Sequence, residues 1–259
     1  EKAEKKDSGW SRDYAVGKWT VTYLKTLEEK NAPEDQLEEI CKKYWNNSGV
    51  RRYYIDRYFE KKEYDRVLQV LDESIELDKA YRGQVLEYNQ KKKEIYRLQG
   101  NKSAYIEQLW KLVLEQSAGD LDIYKELKAQ YSEKEWLIKR EELFKKLSAN
   151  AHIDRLYKEE KLYDRLLAYV LKSSGLYAVQ SYENVLKKEY PKQILSKYQG
   201  EVNKMASCTG NRKHYADLVA LLRRMKRIKG GSEIVETIVE EWKIKYRNRP
   251  AMMDELSKL

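Results

Sequence analysis

Seven cations near the C-terminus, Arg223, Arg224, Arg227, Lys243, Lys245, Arg247 and Arg249, are the residues of this 259-residue chain whose type and spacing point most directly to chemistry outside the fold. That chemistry is the neutralisation of phosphates or of an acidic partner, and its mark is affinity that falls with salt. The stretch from Arg212 to Lys229 carries seven Lys or Arg against a single acid, Asp217. On a helical wheel Tyr215, Leu218, Val219, Leu221, Leu222, Met225 and Ile228 share one broad face, and Arg223, Arg224 and Arg227 point away from it. Gly230-Gly231 ends that helix, and Ser232 is expected to cap the next, whose stripe runs through Ile234, Val235, Ile238, Val239 and Trp242. Lys243, Lys245, Arg247 and Arg249 follow, and a hairpin of the two helices could bring both groups of cations to one end. A solvated face accounts for the same residues, since cations near a helix C-terminus complement its dipole and keep a protein soluble.

The charge is uneven along the chain. Residues 190–259 hold 15 Lys or Arg against 8 Asp or Glu, while residues 1–189 hold 37 against 35. No base-reading motif accompanies the basic quarter.

Other candidate chemistry is thin. There is no Gly-rich phosphate loop, no His-Glu-x-x-His, no Cys-x-x-Cys and no Gly-x-Ser-x-Gly. His152 stands at a junction and His214 opens a basic helix, with no local metal spacing between them. Cys41 and Cys208 are 167 positions apart, which reads as free, semi-buried thiols in a reducing cytoplasm rather than a disulfide or zinc framework. Glu38-Glu39 and Glu240-Glu241 are adjacent on helices and so do not face each other as an acid/base pair would. The expectation is a non-enzyme without cofactor or metal.

The elements that carry these residues are helices. Only 11 Gly and 3 Pro are available for turns, too few for a β-rich fold, whereas Leu, Lys and Glu are plentiful. Apolar residues recur at three- and four-residue intervals nearly throughout. A first helix is predicted over 11–30 with Tyr14, Trp19, Tyr23 and Leu27 on its apolar stripe; Pro33 opens a second, and Ser132 with Glu135 reads as a capping box. Short joins favour antiparallel neighbours, so the class is all-α, an α-α superhelix of about 12 to 15 helices in stacked hairpins, like a tetratricopeptide solenoid but without its period.

An internal echo supports repeated hairpins. Ile55-Asp56-Arg57 with Tyr64-Asp65-Arg66 returns as Ile153-Asp154-Arg155 with Tyr163-Asp164-Arg165, and Gly100-Asn101-Lys102 with Tyr105 returns as Gly210-Asn211-Arg212 with Tyr215. The chain reads as one elongated helical-repeat domain over 1–259, with a duplication of roughly 50–150 and 151–259. The Tyr-Asp-Arg triplets are expected to be packing nodes, with Tyr64 and Tyr163 burying their rings and each Asp at the positive end of a helix dipole. Of the 22 tyrosines, those on apolar stripes, including Tyr23, Tyr44, Tyr105, Tyr124 and Tyr215, are expected between helices.

The tail Val239-Glu240-Glu241-Trp242 with Tyr246-Arg247-Asn248-Arg249-Pro250-Ala251-Met252-Met253-Asp254-Glu255-Leu256 resembles the end of bacterial SWIM zinc-finger proteins. Tyr215, Leu218-Val219 and Leu221-Leu222-Arg223-Arg224-Met225-Lys226 resemble it too. Ile123-Tyr124-Lys125-Glu126-Leu127-Lys128, then Tyr131-Ser132 and Glu135-Trp136, are similar to the helical region those proteins carry after their finger. The finger's Cys-x-Cys and Cys-x-His are missing here, so the resemblance implies the helical region alone, a piece of a larger protein, and no zinc ligand. The start at Glu1 rather than Met fits such a piece. The functional expectation is a scaffold for protein–protein interaction, the alternative being nucleic-acid binding through residues 212–249. No run approaches 18 apolar residues, so no membrane span is expected.

Overall fold

The computed structural model describes residues 9–259. Among them all regular structure is helical, as fifteen α-helices and one π-helical turn without a strand. They fall into two compact units, the first running to Ile153 and the second from Asp154 to Leu259.

The first unit holds α1 (Gly9–Glu29), α2 (Glu34–Lys43), α3 (Ser48–Glu60), α4 (Tyr64–Leu77), α5 (Arg82–Leu98), α6 (Lys102–Lys111), α7 (Leu121–Lys128) and α8 (Glu133–Lys146); Leu112–Gln116 continues α6 as the π turn. Side chains set the starts. Asn47 accepts from the Gly49 N–H, Asn101 from the Ala104 N–H, and Asp120 from the N–H groups of Asp122 and Ile123. Ser132 and Glu135 form the reciprocal box that the sequence predicts. Leu24, Leu37, Val50, Ile55, Val67 and Leu71 centre its core, with Tyr54 and Tyr58 buried among them.

The second unit is built from α9 (Ile153–Glu159), whose first residue belongs to the preceding unit, then α10 (Tyr163–Lys172), α11 (Tyr177–Leu186), α12 (Pro191–Ser207), α13 (Arg212–Lys226), α14 (Gly231–Lys245) and α15 (Pro250–Leu256). Pro191 and Pro250 occupy first-turn positions, where the missing N–H has no intrahelical acceptor anyway. Val170, Leu186, Leu195, Tyr198, Leu222 and Ile238 lie at the heart of its core.

The echoed triplets sit on the same backbone device in each unit. After α3, Lys62 takes φ 61°, the Lys62 N–H bonds the Phe59 carbonyl and the Glu63 N–H bonds the Tyr58 carbonyl. After α9, Lys161 takes φ 55°, with the Lys161 N–H bonded to the Lys158 carbonyl and that of Leu162 to Tyr157. Both are left-handed C-caps closed by paired hydrogen bonds, and each delivers the chain into a helix that begins with Tyr-Asp-Arg. Tyr64 and Tyr163 are half-buried there, short of the burial expected of them.

Three local expectations are corrected. The buried stripe of α1 is Gly17, Thr20 and Leu24, with Leu27 half-buried; Tyr14, Trp19 and Tyr23 are exposed. Spacing alone allowed either stripe, and Gly17 settles it, because α1 crosses the α2–α3 connection so closely that a Cβ there would lie 2.3 Å from Asn47 Oδ1. Ser232 lies inside the first turn of α14, whose cap is Gly230 at φ 81°. Gly231 is buried against the Met225 carbonyl oxygen, only 1.9 Å from where a Cβ would be, so no residue with a side chain fits. Cys208 is exposed rather than semi-buried, while Cys41 is buried.

Candidate functional site

The seven predicted cations lie in the second unit and do not act together. Arg224 turns inward: its Nε donates to Glu183 Oε2 at 2.5 Å and its Nη2 to the Gln180 carbonyl at 3.1 Å. Glu183 is buried and also accepts from the Tyr198 hydroxyl at 2.7 Å. Burial pushes the Glu183 carboxyl up, but the bonds from Tyr198 and Arg224 outweigh it and hold the group below the usual carboxylate range. The same burial, together with the Glu183 charge, pushes the Tyr198 hydroxyl up.

Arg249 is a second internal clamp. Its Nη1 donates to the carbonyls of Ala206 at 2.8 Å and Cys208 at 3.2 Å, satisfying the end of α12, and its guanidinium lies 4.4 Å from the centroid of Tyr246. Arg223 donates to the Lys258 carbonyl at 2.6 Å. Arg227, Lys243, Lys245 and Arg247 are exposed and make no ion pair among the described residues. The two groups sit at opposite ends of the α13–α14 hairpin. Arg212, which opens α13, pairs with Asp254 at 2.6 Å, and Arg249 reaches the end of α12, so the later group lies at the start of α13. Arg227 follows the other end of this fifteen-residue helix, roughly 22 Å along its axis. An antiparallel return puts the end of one helix beside the start of the other, so the expected sharing of one end does not occur.

The first unit holds a groove of about 770 Å³, within the size range of small-ligand sites. One wall is the stripe of α1 at Tyr14, Lys18, Val21 and Lys25, spaced four, three and four residues apart. Lys43 and Tyr44 at the end of α2, Arg52 on α3, and Tyr81 and Gln84 around the α4–α5 connection complete it. Asn47 pins α1 to the opposite wall, donating through Nδ2 to the Asp13 carbonyl at 2.7 Å. Beneath this lies Arg51, fully buried, bonded to Asp78 Oδ2 at 2.5 Å, to the Trp45 carbonyl at 2.6 Å and to Ser74 Oγ at 3.1 Å. Tyr88 donates to the same Asp78 oxygen at 2.7 Å, and burial with that bond pushes its hydroxyl up to about 12. The groove therefore has a rigid floor.

Its rim is basic and aromatic. Lys18, Lys25 and Lys43 make no ion pair among the described residues, Asp78 is matched by Arg51, and Asp13 is the carboxylate left in the lining. Arg52 meets Glu87 at 2.6 Å, an exposed pair open to exchange. Tyr14 and Tyr81 are 63% and 58% exposed, and Gln84 Oε1 is a buried acceptor with no hydrogen-bond partner. The signal for this site was present in the spacing of Tyr14, Lys18, Val21 and Lys25, but the competing apolar stripe assigned to the same helix masked it.

Elsewhere polar groups serve the fold. Arg66 stacks 3.7 Å from the centroid of Tyr58 and donates to Tyr54 Oη at 2.6 Å and Glu38 at 2.5 Å, while the Tyr58 hydroxyl bridges Glu34 at 2.5 Å and Glu38 at 2.8 Å. Burial, reinforced by the charges of Glu38 and Glu34, pushes the Cys41 thiol up to about 12 and holds it protonated at neutral pH. His214 contacts the Met205 carbonyl at 3.1 Å. Among the described residues no three His, Cys, Asp or Glu gather as metal ligands, and no helix is long and apolar enough to cross a membrane. Comparison with known protein families, with curated proteins and with solved structures finds no match for this chain.

Proposed function

We propose that this chain is a non-catalytic helical-repeat scaffold that binds another protein, the cytoplasmic helical region of a larger protein of the kind the SWIM zinc-finger resemblance implies. The observation that carries the reading is α1. It uses one face for the core, a second for the groove, and leaves Trp19 and Tyr23, one turn apart, 66% and 54% exposed. Trp, Tyr and Arg supply most of the binding energy at protein interfaces, because large rigid rings desolvate well at little entropic cost. The test places a photo-reactive amino acid at Thr26 in the intact chain and cross-links in cell lysate. Thr26 is exposed one turn beyond Tyr23, and its hydroxyl bonds the Thr22 carbonyl of its own helix, so its replacement leaves the packing of α1 unchanged. The expected result is a discrete cross-linked protein that disappears when Trp19→Ser/Tyr23→Ser is introduced. A ladder of products indifferent to that variant overturns the reading.

The second reading is nucleic-acid binding, now resting on Lys243, Lys245 and Arg247 rather than on all seven cations. These three are exposed and without ion pairs among the described residues. Duplex and single-stranded DNA and RNA titrated at about 50 and 200 mM salt decide it. Reversal of the three to Glu should abolish any salt-sensitive binding, and unchanged affinity removes this reading.

A further inference from the structure

The groove of the first unit has chemistry of its own. Three lysines without ion pairs among the described residues surround it against Asp13. An anionic occupant is favoured by that excess, and it would be held over a low-dielectric floor formed by the buried Arg51–Asp78 pair. Two rings, Tyr14 and Tyr81, stand exposed at the mouth, and Tyr44 is half-buried in the wall. These give apolar contact between the charges.

We infer that the groove binds an acidic, extended peptide segment of a partner protein, with carboxylates paired to Lys18, Lys25 and Lys43 and apolar side chains against Tyr14 and Tyr81. A peptide satisfies both demands at once, since an extended chain carries carboxylates and apolar side chains at neighbouring positions. Lys18 and Lys25 lie two turns apart on one helix face, about 10 Å, a separation matched by carboxylates a few residues apart on an extended strand. The inference rests on the scaffold reading and names the chemistry of its partner.

The test is fluorescence anisotropy of the whole chain with a fluorescein-labelled octapeptide library in which Glu alternates with randomised apolar residues. A second library replaces every Glu by Gln, and unlabelled single-stranded DNA serves as a competitor anion. The Glu library should bind, and tighter at about 50 than at 200 mM salt. Lys18→Glu/Lys25→Glu should weaken it about tenfold or more, whereas the charge-matched Lys243→Glu/Lys245→Glu, far along the sequence in the second unit, should change it less than about twofold. Tyr81→Ser, at an exposed ring, should cost about threefold without touching the charge. Equal binding of the two libraries, equal losses from the two charge reversals, or displacement by DNA as effective as by unlabelled peptide would each overturn the proposal. The scaffold reading fails separately: it falls if the cross-linker at Thr26 captures nothing specific, whatever the peptides do, and it stands without the groove if capture survives Lys18→Glu/Lys25→Glu.

Discussion

The hairpin of α3 and α4 and the hairpin of α9 and α10 carry the same words, Ile-Asp-Arg and Tyr-Asp-Arg, joined by the same left-handed lysine, yet different residues of those words bear the load. In the first hairpin the arginines do so. Arg57 pairs with Glu28 and, at 2.7 Å, with Glu34, and Arg66 stacks on Tyr58 while bonding Tyr54 and Glu38. In the second the aspartates do so: Asp154 accepts from Tyr182 and Asp164 from Tyr190, both at 2.5 Å, and Arg155 is exposed. Part of the difference lies in the carboxylates Glu34 and Glu38 that the first pair of arginines reaches, and part in one neighbour. Tyr58 follows the first Ile-Asp-Arg, whereas Leu156 follows the second and is fully buried. Leucine offers neither a ring face for a guanidinium nor a hydroxyl for a carboxylate, so the stack that Arg66 makes on Tyr58 has no counterpart at Leu156. A repeated motif thus preserves the backbone and leaves the side-chain partners free to change.

The sharpest way to break the comparison is to remove an ion pair from each unit. Asp78→Ala strands the fully buried Arg51 and should cost about 3–5 kcal/mol. Arg224→Ala leaves Glu183 with Tyr198 and Lys187 and should cost less, about 1–3 kcal/mol. Urea unfolding with hydrogen exchange read separately on peptides from each unit measures both, and equal losses would contradict the difference in burial.

Acid should act next. Desolvation raises Glu34 and Glu126, but for Glu34 the bonds from Lys61 and Tyr58, and for Glu126 those from Lys93 and Tyr105, prevail; Glu38 is lowered chiefly by its bonds to Arg66 and Tyr58. Groups with depressed folded-state values contribute stability that is complete above their unfolded values near ~4.3 and is lost as pH falls through the folded ones. Besides these three the first unit holds Glu135 and Glu142, and the second holds Glu183 and Glu201, so hydrogen-exchange protection should decline in both below about pH 4. Protection unchanged down to pH 2 in either unit would refute the assignment there.

Substituting the equivalent arginines sharpens the contrast further. Arg57→Ala removes a guanidinium paired with two carboxylates and should lower stability by about 1.5–3 kcal/mol, while Arg155→Ala, at an exposed position, should change it by under about 0.5 kcal/mol. Matching effects would mean that the two hairpins share more than their backbone. The smallest effect is the one they should share: Lys62→Gly and Lys161→Gly each relieve a left-handed lysine and should stabilise by about 0.5 kcal/mol, the gain being reduced by the added freedom of the unfolded chain. A gain in one unit only would show that one of the caps is strained by its surroundings.

Helices, the Ser132–Glu135 box and the echoed hairpins were legible in the sequence because they depend on neighbours within a few residues. Ser132 and Glu135 reach each other's backbone three positions apart, and Tyr-Asp-Arg opens α4 and α10. The candidate site was legible only in part. Arg227, Lys243, Lys245 and Arg247 stand in solvent as their wheel positions imply, but Arg224 finds Glu183 forty-one residues away and Arg249 finds Ala206 forty-three away. No local pattern foretells such partners.

The all-α class and the Ser132–Glu135 box are therefore written in short stretches of chain, because backbone hydrogen bonds and caps are short-ranged. Which face of α1 is buried, which cations are consumed as clamps, and that Tyr14, Lys18 and Lys25 border a groove with Tyr44 and Tyr81 are set only when distant segments meet. Those outcomes depend on close approach, such as Gly17 against Asn47, and on the need of every buried charge and carbonyl for a partner wherever in the chain it lies.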